Sequence, residues 1–107
     1  MDFKTRVRKV KGTPVLEIAG EFAGDNAGKT AVLLEAMRAS TEKSIAVDLR
    51  RMTFIDSVGL GVFVYCWRLL EKDRREMLFI KPQGFVLNMF QNTSLDRIFK
   101  VVDRLEA

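Results

Sequence analysis

The residues best placed to do chemistry sit together in Phe54-Ile55-Asp56-Ser57-Val58-Gly59-Leu60-Gly61. A serine follows an aspartate, and glycines stand two and four positions beyond it. The apolar run behind them predicts a helix over Val58–Leu70. Ser57 would be its N-cap, with its oxygen accepting from the amide of Gly59 or Leu60. Two glycines in a first helical turn cost about 1 kcal/mol each relative to alanine. Close packing against a strand explains one of them and is strained for two. Ser57 itself has three readings: nucleophile, phosphate acceptor or cap. The first fails, because the chain has no histidine to activate it, and Ile55 stands where a hydrolase elbow needs glycine. The other two stay open. A phosphate would add roughly −1.5 to −2 charges at a helix N-terminus, where the dipole and free amides tolerate it. Beside Asp56, the same charge would repel a partner docked on the glycine surface.

A second segment, Ala23-Gly24-Asp25-Asn26-Ala27-Gly28-Lys29-Thr30, approaches a phosphate-binding loop. Gly28-Lys29-Thr30 is in place, but Ala23 occupies the position of the first glycine. A small nucleotide-binding or NTP-hydrolysing domain is therefore a minor alternative, against which the short chain counts. The bland explanation is a glycine loop ended by an exposed helix start.

Absences narrow the chemistry further. Without histidine there is neither a Ser-His-Asp triad nor a His-ligated metal. A single cysteine, Cys66, forms no internal disulfide and fits a reducing compartment. No cofactor or metal site emerges. The 107 residues carry a net charge of +4, and the excess is local. Lys4, Arg6, Arg8, Lys9 and Lys11 stand against Asp2 in the first eleven residues, and the remainder is neutral. A nucleic-acid groove would draw bases from several elements, so this stretch reads as edge-strand protection or a contact for an acidic protein. The longest apolar run, Val62–Trp67, is too short to cross a bilayer. The basic N-terminus lacks the apolar stretch of a signal peptide. No membrane insertion and a cytoplasmic location are expected.

The elements that must position Ser57 follow from patterning. Phe3–Val10 alternates as a half-exposed edge strand, and Gly12 and Pro14 mark a turn into a second strand, Val15–Ala19. Gly20–Gly28 reads as a loop. Lys29–Ala39 reads as a helix whose buried side is marked by Val32, Leu33, Ala36, Met37 and Ala39. Ser44–Leu49 is a buried strand, Arg50–Ile55 a connection, and Met77–Ile80 another strand. Phe85–Phe90 is a short helix, with Phe85, Met89 and Phe90 packing inward, and Ile98–Val102 is the last strand. The order ββαβαβαβ predicts one α/β domain over residues 1–107, a mostly parallel sheet with an N-terminal hairpin strand at its edge. On the Val58–Lys72 wheel, Gly61, Tyr65, Arg68 and Lys72 form one narrow stripe flanked by Val58 and Val64. Leu60, Val62, Phe63, Cys66, Trp67, Leu69 and Leu70 fill the opposite, core-facing side.

The octet resembles the signature of STAS domains, in particular the stand-alone bacterial anti-sigma factor antagonists. Gly20-Glu21-Phe22 resembles the family's loop after its second strand, and Ser44–Leu49 the strand before the signature. Pro82, Val86, Phe90, Leu95, Ile98, Phe99 and Val101 resemble its C-terminal spacing. The resemblance implies a switch protein, not an enzyme. The unphosphorylated antagonist binds an anti-sigma factor that is also a serine kinase, freeing the sigma factor. Phosphorylation of Ser57 reverses this, and a serine phosphatase restores binding. Asp56, Val58, Gly59 and Gly61 would lie at the docking surface, with Val64 and Tyr65 on the adjoining helix face and Glu21 nearby. Where many members have an aspartate after the Gly-Glu-aliphatic triplet, this chain has Ala23. The resemblance then implies that Asp25 substitutes or that this contact is lost. The family's further C-terminal helix is expected to be absent or shortened. A second implied role is a constitutive STAS subunit docked on another protein, such as a transporter ATPase.

Overall fold

The computed structural model describes residues 2–105. In chain order it contains strands β1 (Lys4–Val10) and β2 (Thr13–Phe22), helix α1 (Gly24–Arg38), strands β3 (Ser44–Asp48) and β4 (Met52–Ile55), and helix α2 (Ser57–Lys72). Strand β5 (Glu76–Ile80), helix α3 (Gly84–Asn92), a 3-10 turn (Leu95–Arg97) and strand β6 (Lys100–Val102) complete it. The strands form one sheet in the order β1-β2-β3-β5-β6, with β4 pairing the far end of β2. β1 and β2 are antiparallel, and every other pairing is parallel. The α/β class and the edge hairpin are as the patterning predicts.

All three helices lie on one face of the sheet. Leu16, Ile18, Ile45, Val47, Met77 and Phe79 point to them and meet Leu34, Phe63, Leu70 and Phe90 in one core. Its centre is aromatic: Phe22 stacks on Phe63 at 4.8 Å, and Phe79 stacks on Phe99 at 4.1 Å between centroids. The opposite face carries Lys4, Arg6 and Arg8 in register with Ala19, Glu17 and Val15. There a small apolar cluster, Val15, Ala46 and Ile80, is covered in part by Val10, Leu78, Val102 and Leu105. Asp48, buried on this face, accepts from the Arg50 amide at 3.1 Å and from the Arg50 guanidinium at 2.6–3.2 Å. Arg8 approaches the same carboxylate at 3.6 Å and also pairs with Glu17. Burial alone would raise the Asp48 carboxyl. The Arg50 bonds and the Arg8 charge outweigh burial and hold it below its ordinary value.

The structure corrects several boundaries. Gly20–Gly28 is not a loop. Gly20, Glu21 and Phe22 finish β2 and pair with β4, and α1 starts at Gly24. Only a chain crossing this tight corner needs Gly20: at φ 91°, a Cβ there would meet the Asp2 carbonyl oxygen at 3.0 Å. The Arg50–Ile55 connection contains strand β4, too short for its alternation to show. The last strand begins at Lys100 because Leu95–Arg97 coil into a 3-10 turn first, closed by Ile98 N–H to Leu95 C=O at 3.0 Å. The buried side of α1 is Ala27, Thr30, Leu34 and Met37, whereas Val32 is 71% exposed and Leu33, Ala36 and the C-cap Ala39 are also exposed. Apolar residues occur all around this helix, so hydropathy does not select its face. Two of the anchors, Ala27 and Thr30, lie in the stretch whose pattern predicts a loop and an exposed helix start.

Candidate functional site

The site grows from two neighbouring strand ends. β2 ends at Phe22 and β4 at Ile55, and one extended residue later each chain turns into a helix. At the second turn that residue is Asp56, φ −114°, ψ −173°. Its Oδ1 accepts from the Gly59 amide at 3.0 Å and its Oδ2 from the Gly24 amide at 3.1 Å. One carboxylate thus caps α2 and ties down the first amide of α1. Chiefly the Gly59 amide, with those of Gly24 and Val58 helping against desolvation, holds this carboxyl below its ordinary value.

This arrangement corrects the reading of Ser57. It is not the N-cap but the first helical residue, because the aspartate before it takes the extended backbone and the capping bond. Ser57 is exposed, and no hydrogen bond engages its hydroxyl among the described residues. Around it, Val58 is 46% and Tyr65 60% exposed, Val64 is half-buried, and Gly61, Arg68 and Lys72 are exposed. The predicted stripe therefore faces outward. On the opposite side Phe63, Cys66 and Leu70 are buried, while Leu60, Val62, Trp67 and Leu69 are only partly covered. Burial pushes the Cys66 thiol up to about 11, which keeps it protonated at neutral pH, consistent with its core reading.

The two glycines separate cleanly. A Cβ on Gly59 would lie 2.4 Å from the Phe22 carbonyl oxygen and 2.8 Å from the Ile55 side chain. A Cβ on Gly61 would meet nothing within 4 Å. Packing accounts for the first and leaves the second without a folding reason.

Glu21 and Asp25 flank the site. Glu21 is exposed and lies opposite Phe54 in the β2–β4 register, and its carbonyl accepts from Asn26 Nδ2 at 3.2 Å. Asp25 is exposed in the first turn of α1, and Ala23 is the N-cap of that helix with no side-chain bond to offer. Because Asp56 bridges the Gly24 and Gly59 amides, the two helix N-termini adjoin, with Asp25 next in α1 and Ser57 next in α2. The Phe85 reading is corrected here. Phe85 is 44% exposed and stacks at 4.9 Å on Phe54, itself 36% exposed, forming a surface aromatic pair next to the site. Only the three-dimensional neighbourhood of β4 and α3 could reveal that pair. Met89 and Phe90 do pack on the core.

Gly28-Lys29-Thr30 does not form a phosphate cradle. All three residues are inside α1, and Thr30 is buried with its hydroxyl donating to the Asn26 carbonyl at 2.7 Å. The loop that a phosphate would need has become helix. No group of three or more metal-ligating side chains occurs among the described residues, and none of their helices is long and apolar enough to cross a membrane.

The profile of the STAS domain matches residues 4–107. An anti-sigma-B factor antagonist of Listeria monocytogenes is 27% identical over 84 residues, 78% of this chain and 74% of its own. One from Staphylococcus aureus is 24% identical over 92 residues, 86% of this chain and 85% of its own. Among solved structures, a putative anti-sigma factor antagonist of Thermotoga maritima superposes with a TM-score of 0.86 at 22% identity, covering 94% of this chain and 87% of its own. The anti-sigma factor antagonist SpoIIAA superposes in its unphosphorylated form with a TM-score of 0.72 at 16% identity, covering 97% and 90%. Its phosphorylated form gives 0.71 at 18%, covering 96% and 93%.

Proposed function

We propose that this chain, which belongs to the STAS domain family, is an anti-sigma factor antagonist switched by phosphorylation of Ser57. Unphosphorylated, it docks an anti-sigma factor serine kinase on the surface formed by Asp56, Ser57, Val58, Gly61, Val64 and Tyr65, with Glu21 and Asp25 at its border. Gly59 supports that surface from beneath. A phosphate on Ser57 adds roughly −1.5 to −2 charges beside the Asp56 carboxylate and removes the partner. A serine phosphatase returns the chain to its binding form.

The observation that carries this reading is the division of labour between Asp56 and Ser57. Capping is done by the aspartate, so the serine hydroxyl is exposed and structurally idle. The dipole of α2 would offset part of a phosphate's charge at its N-terminus, although the Asp56 carboxylate already takes the Gly59 and Gly24 amides. Modification can then change binding while leaving the fold intact. The test is incubation with the anti-sigma factor kinase of the same organism and ATP, followed by phosphosite mapping. Label on Ser57, lost in Ser57→Ala, is expected, and Ser57→Asp should abolish kinase binding. Label elsewhere that survives Ser57→Ala would defeat the switch.

A further inference from the structure

Beside the Ser57 surface, α1 and α2 leave an open groove of about 790 Å³ between them. Ala31, Ala39 and Gly61 keep it open, and Val32, Val58 and Tyr65 stand exposed along it. Glu35 is the one charged residue lining it among the described residues, and it is paired with Arg38. Gly61 has no folding role that a larger residue would violate, yet it weakens α2 by about 1 kcal/mol relative to alanine. What it does accomplish is to leave room for a second backbone.

We infer that this groove receives an amphipathic α-helix of the partner that docks at Ser57, with the acidic end of that helix lying over Arg68 and Lys72. The inference rests on the docking role proposed for Ser57 and extends it along α2. A helix is the required form because both walls of the groove are helices, whose backbone groups are already bonded. An extended segment laid there would leave its own N–H and C=O groups without protein partners, whereas a helix brings its bonds with it. Apolar side chains at every third or fourth position would fill the space between Val32 and Tyr65. The acidic end follows from the stripe itself. Beyond Tyr65 come Arg68 and Lys72, both exposed and in no ion pair with a described residue. The acids near that end are differently engaged or placed: Glu35 is spent on Arg38, Glu71 points away from α1 on the wheel, and Asp73 is the C-cap of α2. Val58 to Lys72 spans about 21 Å of helix, so the incoming helix needs about four turns.

The experiment places the photo-cross-linker benzoylphenylalanine at Val32, on the far wall, or at Val58, beside Ser57. Each full-length variant is mixed with the purified anti-sigma factor kinase of the same organism. Adducts from both positions are expected, with the Val32 adduct mapping to a kinase peptide that has helical apolar spacing and Asp or Glu at one end. Val32→Glu should weaken binding about tenfold or more with unchanged thermal melting, since Val32 makes no core contact. An adduct from Val58 alone would overturn the groove and leave Ser57 docking intact. Adducts from neither position would overturn both. A Val32 adduct between two copies of this chain would make a second copy the occupant, and one mapping to an extended kinase segment would reject the helix.

Discussion

Helices α1 and α2 begin in parallel fashion. Each starts one residue after a strand end, and the intervening residues, Ala23 and Asp56, are both extended. Each helix carries glycine in its first two turns. There the likeness stops. Asp56 caps its own helix and also binds the first amide of the neighbouring one, whereas Ala23 supplies no side-chain bond. A single carboxylate therefore organises both helix starts, and the serine after it is released from structural duty. The α2 start thus holds both the shared capping carboxylate and the exposed hydroxyl, unbonded among the described residues. The α1 start, despite its phosphate-loop lettering, contributes a wall.

The most severe way to break this asymmetry is Gly59→Ala. The added methyl faces a backbone carbonyl at 2.4 Å, and that oxygen belongs to the end of β2, which cannot retreat without moving α1. A loss of about 1–3 kcal/mol, the usual cost of overpacking, is expected in urea denaturation. Gly61→Ala, two residues on, meets nothing within 4 Å and should gain about 1 kcal/mol from helix propensity. Equal effects at both glycines would refute the separation of packing from docking roles.

Acid should expose the shared carboxylate next. The folded-state values of Asp56 and Asp48 both lie below those of ordinary aspartates. Their stabilising contribution is thus complete above the unfolded aspartate value of about 3.9 and is lost as pH falls through the lower folded values. Melting temperature should be level from neutral pH to about pH 5 and decline below pH 4. Asp56→Asn keeps a good cap at neutral pH but removes one titrating group, so its acid decline should be shallower. An unchanged decline would show that Asp48 and other carboxylates carry the whole effect.

Much of this corner is legible in the sequence, and the reasons for the remainder are specific. The octet Phe54–Gly61, the stripe through Gly61, Tyr65, Arg68 and Lys72, and the buried run Ser44–Leu49 all show because strong periodicity or unusual residue types mark them. Asp56 and Ser57 are both good N-caps, and only backbone conformation chooses between them. The start of α1 is hidden in the sequence because Gly24, Asp25, Asn26 and Gly28 are poor helix formers. Tertiary contacts override that preference: Ala27 is fully buried, and Asp56 supplies the missing cap. The Phe54–Phe85 pair and the α1–α2 groove join residues distant in sequence, and no local pattern encodes them.

A smaller substitution sharpens the comparison from the α1 side. Ala23→Ser would give α1 a side-chain cap of its own, and the hydroxyl adds no charge next to Asp56. The extended backbone at Ala23, φ −149°, ψ 155°, already suits a capping residue. Stability should rise by about 1 kcal/mol, read as a higher urea midpoint at unchanged slope. It should also reduce the dependence of α1 on Asp56, so that Asp56→Ala is less damaging in the Ala23→Ser background. Additive effects would mean that the two caps stabilise α1 independently of each other.

The least change is expected from Lys29→Ala. Lys29 is exposed on the second turn of α1, makes no ion pair with a described residue, and has helix, not loop, on both sides. A lysine that bound phosphate would need backbone amides turned toward the same anion. Inside a helix those amides are committed to carbonyls four residues back. Lys29→Ala should therefore shift stability by no more than about 0.5 kcal/mol and leave Ser57 phosphorylation at its original rate. ATP affinity of the isolated chain that disappears with this substitution would return the α1 start to the chemistry of the corner and dissolve the asymmetry from its other end.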